Sequence, residues 1–443
     1  MPPTSPTPVN RDEAPVRERG DACPGALRLH PADDGRLARL RLPGGLLTHH
    51  QADVLASAAE RLGDGHLDIT SRGNVQLRGL GESCGAELAE LLGEAGLLPS
   101  DRHERVRNIV ASPLAGLDGV PGADVQLWTR ELDTLLCASE TATALSGRFL
   151  FALDDGRGDM AALGADVTLL ARRDGTAALY TGTNQTAAGE SAPAALRVAA
   201  ADAPRAALLA AETFLTVAET GGSGAWRVRE LPAGHGLDAA VATRLAGAGI
   251  AAEPLAQVAP PPAAAPPPGL VHSPEGTVAV SVYAPLGRLS VARWRALTAG
   301  GGEPRVTPWR GVIVPGLEPA AARGLLAGLR TAGLITAPDS PWYGVGACTG
   351  RPGCAKALSD IRSDAAGATR TAPGGLPVYW SGCARRCGRP EGDRVDVVAT
   401  GEGGYSVSVV SVTGNLPAPP RTAATGPELA EAVATARTTP VTR

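Results

Sequence analysis

The stretch TSRGNVQLRGLGESCGAELAELLGEAGLL, residues 70–98, occurs a second time in altered form within the same chain. Residues 307–335 read TPWRGVIVPGLEPAAARGLLAGLRTAGLI and align with it without a gap, so that Thr70 coincides with Thr307. Each copy joins a short run of alternating apolar residues, which is typical of a strand, to leucines at helical spacing. The similarity continues on both sides over roughly a hundred residues, far beyond the length of a solenoid repeat, and therefore predicts a duplicated domain.

The flanking segments support the duplication. Upstream, DGRLARLRLPGG (34–45) matches EGTVAVSVYAPLG (275–287) in character. Downstream, the segment that begins SGRFLF at Ser146 parallels the one that begins SGCARR at Ser381. The order of strands and helices in each copy predicts an α+β fold, in which two ferredoxin-like half-domains and two α/β lobes are related by a pseudo-twofold axis.

Composition divides the chain further. A Pro- and Ala-rich segment between the copies is typical of a semi-rigid, extended linker. The expected units are a disordered tail (1–20), a first half-domain (21–105), a first lobe (106–252), the linker (253–272), a second half-domain (273–340) and a second lobe (341–443).

The bulk properties limit the kinds of partner. The net charge of −4 gives no global attraction for nucleic acid or a membrane surface, so that an anionic ligand must be held by local cations. The N-terminal residues are polar and Pro-rich, unlike a signal peptide, and no apolar run is long enough to span a bilayer. These features predict a cytoplasmic protein.

Four of the seven cysteines lie in two short loops, as C-x5-C and then C-x3-C. In a reducing compartment such spacing indicates metal ligands, and glycines in both loops let the backbone curve around an inorganic core. These spacings favour an iron–sulfur cluster over structural zinc, which prefers shorter knuckles. Unlinked buried thiols are the remaining alternative. The candidate ligands are Cys348, Cys354, Cys383 and Cys387, whereas Cys23, Cys84 and Cys137 follow no pattern.

The first copy has no cysteines at the matching places. RNIVASP stands where the second copy has GVGACTG, and SGRFLF stands where it has SGCARR. Arg107 and Arg148 are therefore expected to face the cysteine loops across the pseudo-twofold interface. Arg72 and Arg78 share one face of a predicted strand. Guanidinium groups bind carboxylates through two parallel hydrogen bonds, so these residues predict an anion pocket; solvated surface arginines are the alternative.

The chain has no Walker loop and no G-x-G-x-x-G sequence that opens a helix. It is therefore not expected to bind NADH in the usual way. We expect electrons to come from a partner protein, such as a reductase or a ferredoxin.

Together, the cysteine loops, the duplicated half-domains, LDITSRGNVQLRGL (67–80) and RVRNIVASP (105–113) resemble the sulfite and nitrite reductase superfamily. The resemblance implies that the four loop cysteines hold a [4Fe-4S] cluster, and that Cys387 also bridges to sirohaem iron where a sirohaem is present. It also implies that Arg72 and Arg107 match two arginines of the reductases' oxyanion site.

The chain departs from the reductases where they carry a pair of lysines. It has Arg148 and then Leu150 there, and a lost proton donor is difficult to reconcile with multi-proton reduction of sulfite or nitrite. CPGALRLHPADDGRLARLRLPGG (23–45), FLFALDDG (149–156) and TPWRGVIVPG (307–316) instead resemble the precorrin-3B synthase branch, whose members take a modified tetrapyrrole as substrate.

This second resemblance implies an O2-dependent monooxygenase. It would hydroxylate precorrin-3A at C20 with electrons derived from NADH, and a ring-A acetate would close as a γ-lactone. It also implies a mononuclear non-haem iron beside the cluster, whose ligands the sequence does not identify. The residues expected to be catalytic are Arg72, Arg107 and Arg148, and those expected to bind substrate carboxylates are Arg72, Arg78, Arg107, Asn108, Arg148 and Arg310.

Two other functions remain open at this point. One is a sirohaem-dependent nitrite or sulfite reductase, in which the pocket holds a prosthetic group. The other is a non-catalytic module for electron transfer or tetrapyrrole binding.

Overall fold

The computed structural model describes residues 21, 23–182, 195–255, 265–369, 375–390, 392–401, 403–411 and 420–439 of the 443-residue chain. The tail predicted at residues 1–20 lies outside these ranges. Among the helices that they contain, none is long and apolar enough to cross a membrane.

The strands are β1 (His30–Ala32), β2 (Gly35–Leu40), β3 (His66–Ile69), β4 (Val75–Leu80), β5 (Ile109–Ala111), β6 (Phe151–Asp154), β7 (Val167–Ala171), β8 (Thr176–Thr181), β9 (Ala195–Ala199), β10 (Glu253–Leu255), β11 (Gly269–His272), β12 (Val278–Tyr283), β13 (Arg288–Ser290), β14 (Arg305–Val306), β15 (Gly311–Leu317), β16 (Val345–Ala347), β17 (Val378–Ser381), β18 (Arg394–Gly401), β19 (Gly404–Val410) and β20 (Arg421–Ala424). The helices are α1 (His49–Arg61), α2 (Gly85–Glu94), α3 (Val125–Ala138), α4 (Ala203–Thr220), α5 (Leu237–Gly247), α6 (Val291–Thr298), α7 (Pro319–Thr331), α8 (Ile361–Ala368) and α9 (Pro427–Arg437).

The two half-domains repeat one topology. The first sheet has the order β1-β2-β4-β3-β13, with α1 and α2 in the same unit. The second has the order β11-β12-β15-β14, with α6 and α7. The strands in each sheet pair antiparallel, and apolar side chains on one face of each sheet pack against the helices. The predicted α+β duplication is confirmed.

The half-domains share one hydrophobic core. Strand β13 follows β12 in the chain but pairs with β3 of the first sheet. Trp294 of α6 is fully buried, and its indole Nε1 donates a hydrogen bond to the carbonyl oxygen of Ala52 in α1 (2.9 Å). Leu55 and Val314, one from each half, belong to the same cluster of buried side chains. The two halves therefore bury apolar surface against each other.

The two lobes also repeat one topology. Their sheets have the orders β5-β6-β7-β8-β9-β10 and β16-β17-β18-β19-β20, and in each sheet the first three strands are parallel and the rest antiparallel. The parallel strands pair in the same register in both lobes. Ile109, Phe151 and Val167 lie side by side in the first lobe, as Val345, Val378 and Val395 do in the second.

This register corrects one part of the sequence alignment. Ser146 and Gly147 come before β6, whereas the Ser381–Gly382 pair stands at the end of β17. By strand register, Cys383 is equivalent to Gly156, and Cys348 is equivalent to Ser112. Arg148 is therefore not the counterpart of a cysteine loop, because the identical dipeptides lie at opposite ends of the equivalent strands.

The structure also places strands at both ends of the linker predicted at residues 253–272. Strand β10 pairs with β9 of the first lobe, and β11 pairs with β12 of the second half-domain. The Pro-rich centre, residues 256–264, lies outside the described residues.

Candidate metal centre and anion pocket

The cysteine loops follow neighbouring parallel strands. Cys348 comes directly after β16, and Cys383 comes two residues after β17, so that the two loops meet at the carboxyl edge of the sheet. Cys348, Cys354 and Cys383 are half-buried and Cys387 is exposed; all four are free thiols. Ligands commonly bind at this edge of a parallel sheet.

Hydrogen bonds connect the loops to each other. The backbone N–H of Cys348 donates to the carbonyl of Trp380 (2.9 Å), and the N–H of Gly382 donates to Cys348 Sγ (3.1 Å). Only glycine fits at position 382, because a Cβ there would lie 2.7 Å from the Cβ of Ala357. The second loop is therefore held close against the first.

The cysteine sulfurs are not arranged as the ligands of a single zinc ion. A tetrahedral zinc with Zn–S bonds of about 2.3 Å would hold its sulfurs about 3.8 Å apart. Within the described chain, no three cysteine sulfurs lie within 4.8 Å of one another. Burial raises the pKa of Cys348, and the charges of Cys354 and Cys387 raise it further. Thiolates at this place would therefore be stabilised by a bound positive charge.

Two of the arginines predicted to bind substrate are already neutralised. Arg78 donates from Nε and Nη2 to Asp34 (both 2.8 Å). Arg107 donates from the same two atoms to Asp133 (both 2.7 Å) and, together with Arg41, lines a cavity of about 320 Å³. Their guanidinium groups are thus ion-paired within the protein, and their binding of substrate carboxylates stays a prediction.

Two further predicted residues have structural contacts. Asn108 is fully buried; its Oδ1 accepts from Asn74, and its Nδ2 donates to the carbonyl of Phe149. Arg310 lies over the ring of Tyr379 and donates to the carbonyl of Gly388, the residue after Cys387. Asn108 thus holds the first half-domain to its lobe, whereas Arg310 contacts a cysteine loop.

Arg72 lies next to Arg148 in the structure. Nη1 of Arg72 donates to the carbonyl of Arg148 (3.0 Å). Burial, together with the nearby charges of Arg227 and Arg41, lowers the pKa of Arg72 to about 9. Arg227 forms an ion pair with Asp166, and among the described residues no carboxylate forms an ion pair with Arg72.

Sequence reasoning missed Arg39 and Arg41. Arg41 is buried, and its Nη2 donates to the carbonyl of Gly147 (3.0 Å) and to Cys23 Sγ (3.1 Å). Arg39 is half-buried and donates to Gln76. Their alternation with core residues in LARLRL could have identified them, because it places them on the face of β2 opposite the core. We name Arg39, Arg41, Arg72 and Arg227 the arginine cluster.

One arginine of the cluster, Arg39, lies near the cysteine loops. Burial and the charge of Arg41 lower the pKa of Arg39 to about 10, and a nearby Cys387 acts in the opposite direction, which puts the guanidinium within electrostatic range of that thiol. On the same face of the sheet, Asp68 accepts from Arg362 of α8 (2.9 Å). The polar face of the first half-domain therefore meets the lobe that carries the cysteines.

A lysine proton donor is missing from the first lobe. Leu150 is buried and packs with Val110 and Met160. The whole chain contains a single lysine, Lys356, which is exposed in a cysteine loop.

Comparisons with known proteins agree with the fold. The nitrite/sulfite reductase ferredoxin-like half domain matches residues 30–95. A precorrin-3B synthase of Sinorhizobium sp. is 28% identical over 411 residues, which cover 90% of this chain and 84% of that protein. A ferredoxin–nitrite reductase of Synechococcus elongatus is 29% identical over 402 residues, which cover 82% and 76%.

The NirA protein of Mycobacterium tuberculosis has a similar structure, with a TM-score of 0.67 and 20% identity over 89% of this chain and 79% of that one. Both full-length relatives are enzymes by name. The chain thus has a nitrite/sulfite reductase-like fold and, as its sequence predicted, resembles precorrin-3B synthase within that superfamily.

Proposed function

We propose that the chain is a precorrin-3B synthase, an O2-dependent monooxygenase that hydroxylates precorrin-3A at C20 with formation of a γ-lactone. The observation that carries the proposal is the arginine cluster, whose member Arg39 lies near Cys387 of the cysteine loops. In the described residues, no carboxylate lies within ion-pair distance of Arg39, Arg41 or Arg72. Arg41 is buried and Arg39 and Arg72 are half-buried, and charges withdrawn from water are normally paired, so an anionic ligand would stabilise these three cations.

A tetrapyrrole with several carboxylates suits this pocket. Each guanidinium can bind one carboxylate through two hydrogen bonds, and the lowered pKa values of Arg39 and Arg72 indicate that each cation would gain from an added negative charge. Residues of the first half-domain would orient the macrocycle, while the cysteine loops would lie beside it.

The residues have distinct tasks in this proposal. Cys348, Cys354, Cys383 and Cys387 would hold a [4Fe-4S] cluster, which would supply electrons one at a time. One atom of O2 would enter the substrate as the C20 hydroxyl, and two electrons and two protons would convert the other into water. The arginine cluster would bind and orient the substrate, whose carboxylates it fixes. The electrons, derived from NADH, would come from a reductase or ferredoxin in the cytoplasm.

The second candidate function is a sirohaem-dependent nitrite or sulfite reductase. The similarity to the Synechococcus enzyme over most of the chain favours it. The buried Leu150 and the absence of lysine from the first lobe disfavour it, because oxyanion reduction requires proton donors next to the substrate.

The experiment is an absorption spectrum of the protein purified without oxygen, together with iron and acid-labile sulfide analysis. The proposal predicts a broad cluster absorption without tetrapyrrole bands. Sharp sirohaem bands with the cluster absorption would instead establish a prosthetic group and favour the reductase. A protein without iron and sulfide would contradict both.

A further inference from the structure

Buried carboxylates occupy the place in the first lobe that is equivalent to the cysteine loops. Ser112 follows β5, as Cys348 follows β16. Asp154, Asp155 and Asp159 lie at and after the end of β6, as Cys383 follows β17. The duplicated fold thus brings two loops together at the same sheet edge in each lobe, with thiols in one lobe and oxygen donors in the other.

The carboxylates are close together and almost inaccessible. Asp154, Asp155 and Asp159 are each at most 2% exposed, and their oxygens approach within 4.8 Å of one another. One guanidinium, that of Arg157, serves both Asp155 and the nearby Asp118. Four carboxylates around a single cation leave an excess of buried negative charge, which is costly unless another positive charge is present.

The hydrogen bonds of the three carboxylates show where an additional positive charge would bind. Asp154 accepts from four backbone N–H groups, which satisfy both of its oxygens. Asp155 is held by Arg157 through both oxygens. Asp159 accepts one bond, from Ser112 Oγ to its Oδ1 (2.5 Å), and its buried Oδ2 has no partner among the described residues. Oδ2 is therefore the open position of the cluster.

We propose that this group binds a hard divalent cation of the Mg²⁺ or Mn²⁺ class, with Asp159 as a direct ligand and Asp155 as the second. A site whose ligand atoms are all oxygens selects hard cations, and Mg²⁺ is commonly held by one or two carboxylates. Asp154, already held by backbone N–H groups, adds negative potential. The cation would neutralise the loops of the first lobe, and this role does not depend on the redox function of the second.

The test is a Mn²⁺ titration of the full-length protein, freed of loosely bound metal, in which electron paramagnetic resonance counts the unbound ion. The wild-type protein should bind one Mn²⁺ per chain, and Mg²⁺ should displace it. Asp159→Asn keeps the shape of the side chain but removes its charge, so the affinity should fall by about 10-fold or more. Asp174→Asn, an exposed carboxylate of the same lobe, is the matched control and should bind like wild type.

Absence of Mn²⁺ and Mg²⁺ binding in the wild-type protein would overturn the proposal and mean that protons balance the charge. Equal binding by Asp159→Asn would also overturn it and place the ion elsewhere. Iron and sulfide analysis of each variant reports on the second lobe separately, and a thermal melt of metal-free Asp159→Asn shows whether the variant is folded.

Discussion

The two lobes have the same sheet and the same strand register but different side chains at the carboxyl edge. In the second lobe, Cys348 and Cys383 stand at the ends of β16 and β17. In the first lobe, Ser112 and Asp155 stand at the ends of β5 and β6. The backbone thus determines where donors converge, and the side chains determine which chemistry is available there. Only the second lobe offers the soft ligands that an iron–sulfur cluster requires.

The largest expected effect would come from removing a thiol of the second lobe. Cys354→Ser should reduce iron and acid-labile sulfide to near zero and abolish turnover, because a cluster of this type needs four thiolates. The matched control is Cys84→Ser, whose half-buried thiol donates to the carbonyl of Gly81 outside the loops. Full iron and sulfide in Cys354→Ser would contradict the ligand assignment.

The comparison of the half-domains can be tested at their shared core. Trp294→Ala should lower the free energy of unfolding by about 3–5 kcal/mol, since it removes a fully buried aromatic side chain that packs between the copies. Its neighbour Arg295 also joins α6 to α1, through an exposed ion pair with Glu60. Arg295→Ala should leave urea unfolding nearly unchanged. Equal effects of the two changes would argue against a common core.

A smaller effect is expected in the arginine cluster. Arg72→Gln should weaken tetrapyrrole binding by roughly 10- to 150-fold, which corresponds to the loss of about 1.5–3 kcal/mol from charged hydrogen bonds. Iron content should remain that of wild type. Arg323→Gln, on the exposed side of α7, is the control. Unchanged affinity in Arg72→Gln, measured by anaerobic absorption titration, would place the pocket elsewhere.

The smallest effect is expected at Arg148. Its exposed guanidinium lies over the ring of Trp226 (4.8 Å), a contact worth about 0.5–1 kcal/mol at exposed sites. Arg148→Gln should therefore change tetrapyrrole affinity less than Arg72→Gln does. A larger loss would show that Arg148 belongs to the tetrapyrrole pocket, although it is not the counterpart of a cysteine loop.

The duplication and the metal loops could be predicted from sequence because both depend on local patterns. Alternating strands, helical leucines and closely spaced cysteines are visible in a short window. The pairing of β13 with the sheet of the other half-domain could not be predicted from sequence, because the residues Arg288–Ser290 carry no pattern that specifies which sheet they join.

The arginines show a different limit of prediction from sequence. Whether a guanidinium is free depends on which carboxylate the fold brings to it. Arg107 is paired with Asp133 and Arg78 with Asp34, and neither partnership follows from spacing. Arg39 and Arg41 remain without carboxylate partners in the described structure, although they belong to a strand that looked ordinary in sequence.

The most direct test of the account is a single turnover. The anaerobic protein with its cluster reduced would be mixed with precorrin-3A and exposed to isotopically labelled O2, and the product analysed by mass spectrometry. The account predicts a tetrapyrrole product that has gained one labelled oxygen atom. Unchanged precorrin-3A, together with reduction of nitrite or sulfite by the same preparation, would contradict it and identify a reductase.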